Sequence, residues 1–157
     1  MTAPKSAAAA GDREFVTCNI AGQLFGVKVT AIHEVFQPQG VSPVPLAKPE
    51  IAGVLNLRGR IVTVVCARRR LGLPPLPAGS PPPMAVGVDK GGESYGLLVD
   101  AVDEVLNLPD SACEPPPVNL DPRWASVSLG VYRLEGRLLI VLDVERLLEL
   151  GAQAIAA

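Results

Sequence analysis

Short runs of apolar residues recur along most of the chain, and neighbouring runs are separated by two or three turn-forming residues. This pattern predicts β-hairpins, because glycine in a tight turn supplies the positive φ that the turn needs. Four hairpins are predicted: Glu14–Ile20 with Leu24–Val29, Val54–Leu57 with Arg60–Val65, Ala85–Val88 with Tyr95–Val99, and Val131–Leu134 with Arg137–Leu142. Helical spacing indicates short helices at Ala67–Leu71 and Val144–Leu150, and a short helical stretch around His33 and Glu34.

The chain contains two copies of one sequence module. Gly53–Leu73 aligns without gaps on Gly130–Leu150, with identical residues at nine of the aligned positions, and Phe25–Val35 aligns in the same way on Tyr95–Val105. Each copy is too short to bury a sufficient core alone, so we expect the two to share apolar surface. Short strands without crossover helices favour two small antiparallel barrels, because closure removes exposed sheet edges.

The predicted fold class is therefore all-β, with two pseudo-duplicated five-stranded barrels and short connecting helices. The first barrel is placed at about residues 14–73, a Pro-rich connector at 74–83, the second barrel at about 84–142, and a closing helix that packs across at 143–150. Residues 1–13 are expected to form a disordered N-terminal tail, and residues 151–157 a C-terminal tail.

Composition narrows the range of functions. The chain has 157 residues, with 16 prolines, 15 glycines and a net charge of -2. Long helices are disfavoured, and no general attraction to nucleic acid or anionic lipid is expected. The longest apolar runs fall far short of the ~20 residues of a membrane span, and the N-terminal residues lack the apolar stretch of an export signal. We expect a cytoplasmic protein with no nucleic-acid partner and no direct membrane insertion.

Residues suited to catalysis or metal binding are scarce. The cysteines Cys18, Cys66 and Cys113 are widely spaced, which favours reduced thiols in the core over a disulfide framework or a metal site. A catalytic dyad of His33 with Glu34 would need an activated nucleophile, and no nucleophile motif is present. We expect no enzyme activity and no cofactor. The remaining class of function is binding through exposed aliphatic side chains. The alternative is that these side chains are buried between the two copies.

Two helix starts differ between the copies. Asp143 precedes the closing helix and is expected to cap it, whereas Cys66 at the equivalent position is a poor cap, at a cost of about 1 kcal/mol. The helix after Cys66 carries Arg68, Arg69 and Arg70. These arginines form either a solvated face or a patch that binds an acidic partner surface.

Residues 51–62 read IAGVLNLRGRIV, which closely resembles the G-V-x-N-L-R-G-x-x-V-P-V signature of the CheW family of bacterial chemotaxis coupling proteins. The resemblance extends from Phe15 to Leu150 and includes the segments FGV at 25–27, PVP at 43–45, GLLVDAV at 96–102 and LDV at 142–144. Two positions depart from the family pattern: Thr63 stands in place of a proline and Cys66 in place of an aspartate.

The resemblance implies two SH3-like barrels around a shared apolar centre. It also implies a non-enzymatic adaptor that couples the cytoplasmic tips of transmembrane chemoreceptors to the histidine kinase CheA. Receptor tips would lie in the groove between the barrels, and the regulatory domain of CheA, which has the same fold, would dock on the first barrel.

The family's partner-binding residues can be assigned by position. Arg58 matches the signature arginine, and Glu34 matches the acidic residue that faces it across the groove. Neighbouring contact positions correspond to Ile32, Val35, Gly53 and Asn56, and Arg68, Arg69 and Arg70 form a candidate kinase-facing basic patch. The alternative for the Glu34–Arg58 pair is a surface ion pair, worth ~0–1 kcal/mol of stability.

Other functions stay open on the sequence. The chain could couple a related chemosensory pathway that governs surface motility or development, or be a stand-alone regulatory domain of a kinase or phosphatase-like regulator. It is too short to include a phosphotransfer helix or an ATP-binding domain as well. A purely structural β-module would bind neither receptor nor kinase.

Overall fold

The computed structural model describes residues 12–149. The strands within this range are β1 (Asp12–Ile20), β2 (Gln23–Lys28), β3 (Ile32–Phe36), β4 (Ile51–Leu57), β5 (Arg60–Cys66), β6 (Met84–Lys90), β7 (Glu93–Val99), β8 (Ala101–Pro109), β9 (Ser128–Leu134) and β10 (Arg137–Leu142). The helices are α1 (Ala67–Arg70), α2 (Pro122–Ala125) and α3 (residues 144–149). No helix in this range has the length and apolar character needed to cross a membrane.

The four predicted hairpins are confirmed, as β1–β2, β4–β5, β6–β7 and β9–β10, each antiparallel. The all-β class with two five-stranded sheets is confirmed as well. The helical stretch expected at His33 and Glu34 is wrong, because these residues lie in β3, after a single 3₁₀ turn at Val29–Ala31. β1 begins at Asp12, so residues 12 and 13 belong to a strand, and the rest of both tails lies outside the described residues.

The two barrels do not follow the two halves of the chain. One sheet, the terminal barrel, has the strand order β8-β1-β2-β10-β9, and the other, the middle barrel, has the order β3-β6-β7-β5-β4. Each barrel therefore joins the first hairpin of one sequence copy to the last three strands of the other copy. The expected boundaries at 14–73 and 84–142 are wrong, because the two copies exchange their first hairpins.

This exchange creates one parallel strand pair in each barrel. β2 pairs in parallel with β10 in the terminal barrel, and β7 pairs in parallel with β5 in the middle barrel. The expectation of purely antiparallel barrels is wrong at these two contacts. Parallel pairs are favoured where a strand is buried on both faces, and β10 has the required run of buried residues from Leu139 to Leu142.

Both faces of the central strands are covered, by two different cores. In β10, Ile140 and Leu142 belong to a large core shared by the two barrels, whereas Leu139 and Val141 belong to a smaller core inside the terminal barrel. A third core around Leu55, Val62 and Val64 fills the middle barrel. The expected sharing of apolar surface between the copies is confirmed.

Short helices and partly buried polar contacts join the two barrels. Arg68 in α1 donates from Nε and Nη2 to the Asp100 carboxylate at 2.9 and 2.7 Å, and Asp100 also accepts from the Ala21 amide at 2.8 Å. Asp100 lies between β7 of the middle barrel and β8 of the terminal barrel, while Ala21 is in the β1–β2 turn. The pair therefore fixes α1 to the junction between the barrels.

The two helix starts differ as the sequence predicts. Asp143 Oδ1 accepts from the Arg146 amide at 3.3 Å, whereas Cys66 makes no capping side-chain hydrogen bond at the start of α1. Arg70 strengthens the other end of α3, because its Nε donates to the Leu147 carbonyl at 2.9 Å. Cations are stabilising at a helix C-terminus.

We expect Arg68→Met to lower the free energy of unfolding at neutral pH by about 2 kcal/mol, because the half-buried Asp100 carboxylate loses its cation. The hydrogen bonds from Arg68 lower the pKa of Asp100, with a further contribution from the Ala21 amide. This stabilisation is complete above about pH 4, the ordinary carboxyl range, and is lost as pH falls through the lowered folded-state pKa.

Urea unfolding of wild type and variant from pH 7 downwards measures this effect. The stability difference between the two proteins should shrink as the carboxyl group protonates. The exposed Arg69 gives the matched control Arg69→Met, which should change stability by less than about 0.5 kcal/mol. Equal losses in the two variants would show that Arg68 does not join the barrels.

Candidate functional site

The residues matched to the signature arginine and its acidic partner meet at one end of the middle barrel. Arg58 lies in the turn between β4 and β5, and its Nη2 donates to Glu34 Oε1 of β3. β3 and β4 are the two outermost strands of this sheet. The ion pair therefore spans the seam between the two sheet edges at the mouth of the barrel.

The conformation of the β4–β5 turn determines the position of Arg58. Arg58 has φ +52° and Gly59 has φ +87°, which is the two-residue hairpin geometry with positive φ at both positions. Asn56 Oδ1 accepts from the Gly59 amide at 2.8 Å and holds this turn. The side chain of Arg58 is 69% exposed and that of Glu34 is 26% exposed. Asn56 thus positions the arginine, and Glu34 restrains its guanidinium while leaving further donors available.

A pocket of about 170 Å³ lies beneath the ion pair. Its apolar lining includes Phe36, Leu57, Val62 and Tyr95. Burial raises the pKa of Tyr95, and its hydroxyl donates to Glu93 at 3.1 Å. The pocket has room for an apolar side chain beside a fixed guanidinium, a combination suited to binding a protein segment.

A second polar network completes the rim of this pocket. Arg60 donates to Ser94 and lies 3.6 Å from Asp89, and Ser94 Oγ donates to Asp89 at 3.1 Å. His33 Nδ1 lies 3.8 Å from Asp89 Oδ2. His33 therefore faces Asp89 and Arg60, whereas its neighbour Glu34 faces Arg58, so the two do not form a dyad. Sequence reasoning missed Arg60, Asp89 and Ser94 as rim residues, because they come from three different strands.

The expectation that Glu34 faces Arg58 across a groove between the two barrels is wrong. Both residues belong to the middle barrel, and their contact closes that barrel's own mouth. β3, β4 and β5 belong to the same sequence copy and lie in one sheet, so Glu34 and Arg58 are in the same barrel even though the first hairpins are exchanged. A separate groove, lined by Ile32 and His33 of β3 and by residues of α3, lies between the middle barrel and the closing helix.

The neighbouring predicted residues have different environments. Ile32 is half-buried and packs against the shared core, whereas Val35 is 38% exposed on β3. Gly53 has φ +150°, and a Cβ built there would lie 2.3 Å from the carbonyl oxygen of Ser42. The backbone of Ser42 forms an isolated β-bridge with Val54. Glycine is therefore required at position 53, because a side chain there would prevent Ser42 from approaching β4 this closely. The structure brings Glu34, Arg58 and Asn56 to one mouth and gives Gly53 a structural role.

The three arginines of α1 do not form a common exposed patch. Arg68 is bound to Asp100 with its side chain 12% exposed, and Arg70 donates to the carbonyls of Arg146 and Leu147. Arg69 is the exposed member of the three. The candidate basic patch is reduced to this one side chain.

The internal duplication provides a control for the Glu34–Arg58 pair. Under the two alignments, Glu34 corresponds to Glu104 and Arg58 to Glu135. The terminal barrel thus has two acidic residues at these positions and still forms an equivalent five-stranded sheet. Closure of such a barrel does not require this ion pair, which favours a role outside folding.

Only one of the three cysteines lies in the core. Cys18 is fully buried, Cys66 is half-buried and Cys113 is exposed. The expectation that all three are core thiols is therefore wrong for Cys113 and incomplete for Cys66. Burial, with smaller effects of Asp103 and Asp100, raises the pKa of Cys18 to about 12. Cys18 is thus held in its unreactive thiol form.

Residues 14–151 match the CheW-like domain family. The chain belongs to this family. The chemotaxis protein CheW of Rhizobium meliloti (strain 1021) is 31% identical over 137 residues, with 86% of each chain covered. The chemotaxis protein CheW of Thermotoga maritima is 30% identical over 136 residues, with 87% of each chain covered. The crystal structure of the scaffolding protein TtCheW from Thermoanaerobacter tengcongensis is similar with a TM-score of 0.79, at 26% identity, and covers 90% of this chain and 91% of that chain.

In this CheW-like domain, Gly53→Ala should lower the free energy of unfolding by about 3 kcal/mol, because the new methyl group meets the Ser42 carbonyl and an L-residue is strained at this φ. Gly59→Ala is the matched control, since Gly59 also has positive φ but nothing lies within 4 Å of its added Cβ. We expect a loss of about 1 kcal/mol there. Urea unfolding compares the two; a Gly53 variant as stable as the Gly59 variant would contradict the close approach.

Proposed function

We propose that this CheW-like domain is a non-enzymatic chemotaxis adaptor that couples transmembrane chemoreceptors to the histidine kinase CheA. Family membership and the scaffolding role of its structural relative support the adaptor class. We assign the receptor site to the Glu34–Arg58 pair at the mouth of the middle barrel. The terminal barrel folds with two glutamates at the equivalent positions, so folding does not explain the pair. The protein would act in the cytoplasm and be recruited to membrane-associated receptor arrays.

The proposed mechanism uses a restrained guanidinium. Glu34 accepts a hydrogen bond from Nη2 of Arg58. The other N–H groups of the guanidinium remain available to donate hydrogen bonds to a receptor helix. The apolar pocket beneath the pair receives a side chain from the same helix. Because the turn at Asn56 and Gly59 fixes the position of Arg58, little conformational freedom is lost on binding.

Arg58→Ala should leave the free energy of unfolding within about 1 kcal/mol of wild type, since the lost ion pair is exposed. We expect its affinity for a receptor hairpin fragment to fall by about tenfold, equivalent to ~1.4 kcal/mol. Receptor control of kinase activity should weaken in parallel. Isothermal titration and a reconstituted assay with receptor, CheA and adaptor measure these two effects.

The matched control is Glu135→Ala, which removes the equivalent side chain of the terminal barrel. It should leave receptor affinity unchanged. If Arg58→Ala supports kinase control as well as wild type does, the assigned role of Arg58 is wrong. If wild-type protein binds neither receptor fragment nor kinase, the adaptor function itself is wrong.

A further inference from the structure

His33 lies between two cavities of the middle barrel. It lines the pocket beneath the Arg58–Glu34 pair, and together with Asp89 it also lines the groove between the middle barrel and α3. Its side chain is 52% exposed. His33 is the only histidine in the sequence. Because imidazole is the side chain whose charge ordinarily changes between about pH 5 and 8, the charge of this rim depends on protonation at one position.

The neutral form of His33 completes a network that holds Arg60. Nε2 of His33 lies 3.4 Å from Nη1 of Arg60, and Nδ1 lies 3.8 Å from Oδ2 of Asp89. A guanidinium can only donate, so Nε2 accepts from Arg60 and the proton of the neutral ring is assigned to Nδ1, which faces Asp89. Arg60 is therefore held by Ser94, by Asp89 and by the imidazole.

Protonation of His33 weakens this hold on Arg60. A proton on Nε2 places an N–H group opposite Nη1 of Arg60, so the hydrogen bond is lost and two cations face each other. The imidazolium also becomes a second cation beside Asp89, which then no longer serves Arg60 alone. The Arg60 side chain is 51% exposed. Its guanidinium can therefore turn towards an acceptor on a bound partner.

The charged and titratable groups around His33 come from the elements that line the two cavities. They are Glu34 on β3 itself, Arg58 in the β4–β5 turn, Arg60 on β5, Asp89 on β6, Tyr95 on β7 and Glu145 on α3. Asp89 and Glu145 attract an imidazolium, whereas Arg60 repels it. Burial raises the pKa of Tyr95, so this side chain stays neutral. Carboxylates and guanidinium groups are ordinarily charged from about pH 5.5 to 7.5, so the imidazole is the group that responds.

We propose that His33 links recognition at the Arg58 site to protonation: the imidazolium releases Arg60, and the two arginines together bind an acidic segment of the receptor. This inference rests on the proposed adaptor function and adds the chemistry and the regulation of its ligand. Arg58 and Arg60 flank Gly59 at the tip of the β4–β5 hairpin, with the apolar pocket beneath them. A helix that carries a carboxylate one turn from an apolar side chain fits this surface.

Proton linkage gives the test. If protonation of His33 raises the affinity for the receptor, binding must take up protons in the range where imidazole titrates. Isothermal titration of the wild-type protein with a histidine-free receptor hairpin fragment, in buffers of different ionisation enthalpy, measures this uptake. We expect an affinity about fivefold higher at pH 5.5 than at pH 7.5, with net proton uptake between these values.

NMR provides a second readout. Protein without a histidine tag gives a single imidazole signal, because His33 is the only histidine. By reciprocity, a ligand that binds the protonated form more tightly must also favour protonation. The signal should therefore titrate at a higher pH in the complex than in the free protein.

Two variants locate the effect. His33→Gln keeps an acceptor for Arg60 but does not titrate, so its affinities at pH 5.5 and 7.5 should agree within about twofold. Arg60→Gln retains the imidazole but removes the side chain that it releases. Its affinity should also vary less than about twofold with pH, and its imidazole signal should titrate at the same pH free and bound.

Glu145→Gln is the matched control, because Glu145 lies across the groove from His33 and not beside Arg60. This variant should keep the pH dependence of the wild type. Urea unfolding at both pH values checks that each variant is folded under the conditions of the titration.

Three results would overturn the proposal. One is a wild-type affinity that does not change between pH 7.5 and 5.5, and another is a pH dependence that persists in His33→Gln. The third is a pH dependence that persists in Arg60→Gln but is lost in Glu145→Gln, which would place the effect in the groove. Failure of the wild type to bind the receptor fragment at either pH would instead contradict the proposed function, so the two failures can be told apart.

Discussion

The burial of central strands on both faces is the constraint on which the architecture depends. A small barrel covers only the inner face of its strands, and β2, β5, β7 and β10 are apolar on the outer face as well. The shared core covers these outer faces, and it exists only when the two barrels are packed together. The exchange of hairpins between the copies follows the same constraint, because it places the doubly buried β2 beside β10 and β7 beside β5. Neither barrel can therefore be separated from the other without exposing a core.

The internal duplication separates residues that the barrel fold requires from residues that are candidates for partner binding. Gly53 and Gly130 occupy equivalent positions, and both have φ near +150° with backbone close by, so this glycine belongs to the fold. Arg58 and Glu135 also occupy equivalent positions but differ in charge, so neither charge is needed to form a barrel. A residue that recurs in both copies is explained by packing, and one that differs in character between them is the better candidate for binding.

The sequence predicts the local structure well and the long-range pairing poorly. Hairpins depend on apolar runs and on two turn residues, all of which lie within one short segment, so all four were predictable. Pairing of β2 with β10 depends on burial against residues more than a hundred positions away in the chain, and the repeat shows only which strands are equivalent. The sequence around His33 and Glu34 predicts a helical stretch because Ile32, Val35 and Phe36 have helical spacing, whereas in β3 burial alternates and Val35 is exposed. Arg58 and Asn56 were predictable from the signature, whereas the rim formed by Arg60, Asp89 and Ser94 needed the strand order.

The β4–β5 hairpin is a rigid element that carries the Arg58 turn at one end. Leu55, Val62 and Val64 fill the interior of the middle barrel along this hairpin, so bending it would open the core. The Arg58 turn and the loop before β4 are fixed at its two ends by Asn56 and by the turns at residues 44–47 and 48–51. Close-packed interiors deform little and transmit displacement as whole elements. A partner bound at the Arg58 turn would be held in a fixed position relative to both barrels, so such an adaptor transmits the position of a partner without changing its own fold.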